Sequence, residues 1–275
     1  MFDHLNHIGY RGVAGRHSNR LRHALACTAL IAVLAAVAPT AIQAAECPLA
    51  FEPNIPPAKG PVIDIDRRVI NIDKLKEQLI EYKEGKDGNP GNYNEDFKRV
   101  LADAHAQVER RAEGVKWPAV VLDIDETSLS NWTNIKANNF GFIKGGTCFE
   151  EPHLACGFDD WILKASAPAI ESTLNFFNAV RTKNIAVFFI TGRTPGQRQA
   201  TMWNLDSVGF RGWAGLSMRP QDDHGSIVPF KSGERKKIEN NGYTIIANVG
   251  DQQSDLDGGS PECGFKLPNP FYFIK

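Results

Sequence analysis

The segment Ala119-Val120-Val121-Leu122-Asp123-Ile124-Asp125-Glu126-Thr127-Ser128-Leu129-Ser130-Asn131 constrains this chain more than any other. It opens as a short apolar, β-branched run bounded by Pro118, the pattern of a strand buried in a parallel sheet. It closes in two carboxylates separated by one residue. Ligands of open parallel sheets lie at the carboxyl ends of the strands, so Asp123 and Asp125 are expected to share a site. Like charges so close need a cation or a shared proton. A hard divalent ion such as magnesium takes few carboxylates and leaves positions for phosphate oxygens. Alone, Asp-x-Asp is a common tripeptide that often marks only a strand exit, and the rest of the chain has to decide.

Periodicity places the other elements. Leu75 and Leu79 share a face of a helix over 72–82. A second helix, capped by Asn94, carries Phe97, Val100, Leu101, Ala104 and Val108 at helical spacing and ends at Gly114. Both read as a packing layer or a lip. Residues 132–167 form a long loop-rich insert with Trp132, Phe140, Phe142, Phe149, Phe158 and Trp161. Those aromatics make the insert's own small core or a cap over a substrate's organic part. Pro168 opens a helix to Arg181 with Ile170, Leu174, Phe177 and Val180 inward. Strands are expected over 185–190, 213–217, 243–249 and 271–274. Helices are expected over 195–208 and from Lys231-Ser232-Gly233-Glu234. Strands alternating with helices imply an α/β, doubly wound, mainly parallel sheet, with N-terminal helices and a small insert.

The first 45 residues differ from the rest. Arg11, Arg16, Arg20 and Arg22 precede an apolar run from Ala24 to Ala38, followed by Ala41, Ala44 and Ala45. This is the pattern of a secretory signal peptide, and the run is short for a membrane span. Cleavage leaves 46–275 as the functional domain, secreted or periplasmic, with no stable membrane anchor. The whole chain has a net charge of −1, which speaks against a partner such as nucleic acid. Of five cysteines, Cys27 falls in the leader. The remaining four suggest disulfides. Cys148 and Cys156 can close a small loop, and Cys47 and Cys263 then tie the mature N-terminus to the C-terminal region.

Polar groups fall at corresponding strand ends: Asp123 and Asp125 after one strand, Thr191 after a second, Asp251 and Asp255 after a third, with Lys231 at a helix start. Phosphoryl transfer needs each type. Asp123 is the nucleophile that takes the phosphoryl group. Asp125 is the acid that protonates the leaving alkoxide and then the base for water. Lys231 and Thr191 meet the charge on the phosphoryl oxygens. Asp123, the backbone carbonyl of Asp125, Asp251 and Asp255 are candidate magnesium ligands.

The same residues carry a resemblance. Asp123-Ile124-Asp125-Glu126-Thr127, Val187-Phe188-Phe189-Ile190-Thr191, Lys231, and Gly250-Asp251 to Asp255 resemble the four motifs of the haloacid dehalogenase (HAD) superfamily of phosphatases. The longer strings through Asn131, Lys-Ser-Gly-Glu-Arg, Asn-Val-Gly-Asp-Gln and Lys266-Leu-Pro-Asn-Pro-Phe-Tyr are similar to its secreted acid phosphatases, bacterial class C and plant. The resemblance covers roughly residues 65–275 and implies a Rossmann-like HAD core with the insert as cap. It implies a Mg2+-dependent acid phosphatase acting on small phosphomonoesters through an aspartyl-phosphate, with an acidic optimum. Substrate binding then falls to Thr191, Gly192, Arg193, Lys231 and Trp132. Many bacterial class C members resemble lipoproteins at the N-terminus, a cysteine context this chain lacks.

Other residues are read more plainly. Arg193 reaches a substrate or pairs with a surface carboxylate. Ser232 and Arg235 cap or solvate their helix, Asp222-Asp223-His224 is a polar turn, and Glu126 and His105 serve structure and surface. Two alternatives remain: a storage or binding protein on the same fold, whose mark is loss of the nucleophile, and a metal-dependent glycosyltransferase, which has no need of Lys231 with the Asp251/Asp255 pair.

Overall fold

The structure, a computed structural model, describes Cys47, residues 71–146 and residues 156–274. The expected leader, Cys148 and Phe149 lie outside the described residues.

Among the described residues two helices come first, α1 (Ile72–Glu84) and α2 (Tyr93–Arg111). Asn71 caps α1 by accepting from the amides of Asp73 and Lys74. The second helix starts at Tyr93, with Asn92 rather than Asn94 at its N-cap. Strand β1 (Pro118–Leu122) follows, then two short helices inside the insert, α3 (Trp132–Ala137) and α4 (Phe158–Lys164). Next are α5 (Glu171–Thr182), β2 (Ala186–Thr191), α6 (Arg198–Ser207) and β3 (Gly215–Met218). The chain ends with α7 (Val228–Asn240), β4 (Thr244–Gly250), α8 (Gln253–Leu256) and β5 (Gly264–Lys266).

The five strands lie in the order β3-β2-β1-β4-β5, and every pairing is parallel. The expected α/β sheet is therefore present. The chain runs outward from β1 through β2 to β3, then returns to the other side of β1 with β4. The switch point lies between β1 and β4, at the edge where their carboxyl ends open.

Strand β1 shows why the central position falls to it. Val120 and Leu122 pack into the large core with Phe97, Val100 and Leu101 of α2 and Phe177 of α5. Ala119 and Val121 face the opposite way, into a smaller core with Ile190, Ile238 and Ile245. All four are buried, so an unbroken apolar run serves a strand covered on both faces.

Two expected boundaries move. No strand forms at 271–274. The fifth strand is Gly264–Lys266, three residues whose pairing with β4 is set by tertiary contact. Helix α7 begins at Val228, with Pro229 in its first turn, where a missing N–H costs nothing. Lys231 therefore sits one turn inside the helix. Cys47 and Cys263 form the expected disulfide across 216 residues of sequence, and Cys156 is also disulfide-bonded. No helix among the described residues is long and apolar enough to cross a membrane.

Candidate active site

The turn after β1 is fixed by its own backbone. The Ile124 carbonyl accepts from the amides of Thr127, Ser128 and Leu129 at 3.3, 2.8 and 2.8 Å. Glu126 takes a left-handed φ of 52° in this turn. Helix α5 holds the turn from outside: Thr173 Oγ1 donates to the Thr127 carbonyl at 2.6 Å, and the Ile170 amide to that of Ser128 at 2.9 Å. Asp123 and Asp125 thus leave the sheet on a rigid support.

Asp123, Asp251 and Asp255 converge at the ends of β1 and β4. Each is buried, and each offers a carboxylate oxygen within 4.8 Å of the others. Lys231 of α7 donates to Asp123 Oδ1 at 2.6 Å and also pairs with Asp255. Burial pushes the Asp123 carboxyl well above its usual range. Lys231 opposes that shift, while Asp255, Asp251 and Asp125 add to it. Burial pushes Asp251 up to about 7, helped by Asp255 and opposed by hydrogen bonds from Asn269 and Gln252. Burial acts to lower Lys231, but the charges of Asp123 and Asp255 outweigh it and hold the ammonium above the lysine range.

Asp125 sits apart from this cluster. Arg193 Nη2 donates to its Oδ1 at 2.7 Å, and Arg193 Nε to Oδ1 and Oδ2 at 3.1 and 3.2 Å. Asn131 Nδ2 donates to the same Oδ1 at 2.9 Å. Its side chain is thus taken up by a guanidinium, and the main-chain carbonyl, the ligand expected from the sequence, is what Asp125 can offer a metal.

A cavity of about 690 Å³ opens over both groups, lined by Asp123, Asp125, Gly192, Arg193, Lys231, Asp251 and Asp255. Phe140, Phe142 and Phe158 of the insert line it, with Phe271 and Phe273 from the C-terminal segment. Thr191 is fully buried beside it, its hydroxyl accepting from the Arg193 amide at 3.2 Å. Trp132 departs from its expected place at the substrate. Its ring packs on Phe140 and Phe271, and its indole N–H donates to Glu84 at 2.8 Å. The insert's aromatics therefore divide: Trp132 and Trp161 pack inward, while Phe142 and Phe158 pair at the cavity with ring centres 5.8 Å apart.

Several functional contacts were not foreseen. Thr127 Oγ1, Gln252 Nε2 and Asn269 Nδ2 donate to Asp251 at 3.1, 2.7 and 2.6 Å. Arg235 does not solvate its helix. It is buried and donates to the carbonyls of Asp255, Asp257 and Gly259, securing the loop that carries the carboxylates. Gly250 is required because a Cβ there would collide with the Asp255 carboxylate. Glu126 serves structure as expected: it accepts from the Asn131 amide at 2.5 Å, from Asn131 Nδ2 and from the Tyr272 hydroxyl. Asn131 and Tyr272, which close the two strings quoted for the resemblance, were the available signal for these partners.

Comparison with known proteins converges on one group. The family model described as HAD superfamily, subfamily IIIB (Acid phosphatase), matches residues 67–275. Acid phosphatase 1 of Solanum lycopersicum is 37% identical over 156 residues, 56% of this chain and 58% of that protein. The match therefore spans less than two thirds of the tomato protein's length. The stem 28 kDa glycoprotein of Glycine max is 33% identical over 187 residues, 66% of this chain and 70% of that protein. Vegetative storage protein 2 of Arabidopsis thaliana is 28% identical over 217 residues, 78% of this chain and 76% of that protein. The class C acid phosphatase from Bacillus anthracis with tungstate bound shares the fold, with a TM-score of 0.54 at 21% identity over 72% of this chain and 86% of that one.

Proposed function

Because this chain belongs to subfamily IIIB of the HAD superfamily, the acid phosphatases, we propose that it is an exported, magnesium-dependent acid phosphatase that hydrolyses small phosphomonoesters through an aspartyl-phosphate on Asp123. The observation that carries this reading is the meeting of three buried carboxylates with one lysine below an open cavity.

The donor set fits a hard divalent cation. Three carboxylates against Lys231 leave a formal charge of −2 in a buried site, and all the donors are oxygens. Asp123, Asp251, Asp255 and the Asp125 carbonyl would hold it. When bound, magnesium supplies positive charge to the transferring phosphoryl oxygens.

This chain's residues supply the rest. An Asp123 carboxylate oxygen forms a bond to phosphorus as the ester P–O bond breaks, its electron pair passing to the leaving oxygen. That oxygen takes a proton from the Asp125 carboxyl. In the second half, the Asp125 carboxylate accepts a proton from water as the water oxygen attacks phosphorus. The bond to Asp123 then breaks, releasing phosphate. Lys231 stays charged throughout, neutralising Asp123 before attack and the phosphoryl oxygens after it.

The Cys47–Cys263 disulfide supports an oxidising, exported setting, as does the leader-like segment at 1–45. The aromatic lining of the cavity suits the organic half of an aryl or nucleoside ester.

The likeness to a vegetative storage protein favours a second reading, a protein that binds or stores without turnover. The presence of Asp123 weighs against it. Phosphate release from p-nitrophenyl phosphate and a nucleoside monophosphate decides, measured at acid and neutral pH with magnesium or EDTA, beside Asp123→Asn. Metal-dependent release that the variant loses is the expected result. No release under any condition would move the assignment to storage.

A further inference from the structure

The four hydrogen bonds on Asp125 are unevenly shared between its two oxygens. Oδ1 accepts three: Arg193 Nη2 at 2.7 Å, Asn131 Nδ2 at 2.9 Å and Arg193 Nε at 3.1 Å. Oδ2 accepts one, from Arg193 Nε at 3.2 Å. Three donors fill the lone-pair directions of Oδ1 and leave no room there for a proton. Oδ2 is the oxygen that can carry one.

Both donors are themselves fixed. Arg193 is 3% exposed, and its Nη1 donates to Thr201 Oγ1 of α6 at 3.1 Å. Its carbonyl accepts from the Arg219 amide at 2.9 Å. Asn131 is fully buried. Its Oδ1 accepts from the Trp161 indole N–H at 2.8 Å, which sets the amide so that Nδ2 faces Asp125 and Glu126. A planar guanidinium and an oriented amide that meet on one carboxylate oxygen define both its position and its rotation.

We propose that Arg193 and Asn131 are positioning residues for Asp125, clamping Oδ1 so that Oδ2 alone presents the proton to the leaving oxygen. In this assignment Arg193 acts through Asp125, and its guanidinium is not the ligand that binds the substrate's phosphate. The inference rests on the phosphatase reading above.

Leaving groups separate the two roles. A p-nitrophenolate leaves without needing a proton, whereas an alkoxide such as that from glycerol 2-phosphate must be protonated as it leaves. For a covalent mechanism kcat/KM reports only steps through phosphorylation of the nucleophile, so the comparison is free of the hydrolytic half. General acid assistance contributes roughly 10²–10⁴-fold. Arg193→Gln is therefore expected to lower kcat/KM on glycerol 2-phosphate by about 100-fold or more and on p-nitrophenyl phosphate by less than about 10-fold. Arg193→Lys should recover part of the loss on the alkyl ester. Asn131→Ala should show the same selective pattern, and it serves as the test if Arg193→Gln does not fold.

Equal losses on both esters with a raised KM would assign Arg193 to the substrate's phosphate and overturn the proposal. If the wild-type protein turns over neither ester, the phosphatase reading itself falls and takes the inference with it. Wild-type turnover of both esters with no selectivity in any variant rejects the positioning role alone.

Discussion

The two ion-paired groups under the cavity are built on opposite electrostatic plans. Around Lys231, three buried carboxylates face one ammonium, a formal excess of −2. Around Asp125, one carboxylate and one guanidinium form a neutral pair, and an amide shared with Glu126 completes the hydrogen bonds. Excess buried charge costs free energy unless a cation joins it, so the first group suits a divalent cation. The second group is already balanced, and its hydrogen bonds fix geometry instead. In the proposed mechanism, binding of charge and placement of a proton are thereby separated between two neighbouring carboxylates with one residue between them.

Substitution at the nucleophile gives the largest expected effect. Asp123→Asn should lower turnover on the order of 10⁴-fold or more, as loss of a covalent nucleophile does. Circular dichroism should show the fold retained, since Asn keeps the shape and the site sheds one of its surplus charges. A variant with near wild-type turnover would reject Asp123 as nucleophile and with it the division of labour.

Next in size is the response to metal. Asp251→Asn should weaken magnesium binding by at least about 100-fold, more than loss of an outer partner of a metal ligand does. Without metal, the same variant should be no less stable than wild type, because it removes a carboxylate that burial already disfavours. Thermal unfolding with EDTA and with magnesium measures both. A large loss of stability in EDTA would mean that the group around Lys231 is balanced after all.

The opposite sign is expected on the other side. Arg193→Met leaves Asp125 without its counter-charge, the kind of change that costs about 3–5 kcal/mol in a buried pair. Asp125 retains 16% side-chain exposure, so the loss should fall toward the low end, about 3 kcal/mol by chemical denaturation. A neutral or stabilising result would mean that the pair is not balanced as described.

The two groups were not equally legible in the sequence. The carboxylates each follow a strand and Lys231 lies one turn inside a helix, and residue type plus position was enough to bring them together. The partner of Arg193 was not readable, because 68 positions and the whole of β2 separate it from Asp125. Which way a side chain turns at a strand end depends on its neighbours across the sheet. Asn131, Trp161 and Arg235 were missed for the same reason: their roles are contacts between elements, and a polar side chain in a turn looks like a solvated one. The sheet was legible because apolar runs such as 119–122 and 244–249 encode burial on both faces. Strand β5 was not, since three residues carry no period.

The smallest expected effect tests how the insert joins this division. Trp161 of α4 contributes one hydrogen bond to the site, from its indole N–H to Asn131 Oδ1, and no described contact to Asp123, Asp251 or Asp255. Trp161→Phe keeps most of the apolar packing and removes that donor. The buried Asn131 oxygen is left unpaired, at a cost of about 1–3 kcal/mol. The amide also loses one of the three contacts that hold it in place, so its grip on Asp125 loosens. Turnover of an alkyl phosphate should then fall by about 10-fold at most, in line with about 1 kcal/mol lost at the transition state, and more than turnover of an aryl phosphate. The magnesium concentration giving half-maximal activity should not move, because Asp123, Asp251 and Asp255 keep every contact they had. A shift in that midpoint as large as the loss on the alkyl ester would mean that the two groups respond as one, and that the insert reaches the metal ligands by a route other than Asn131.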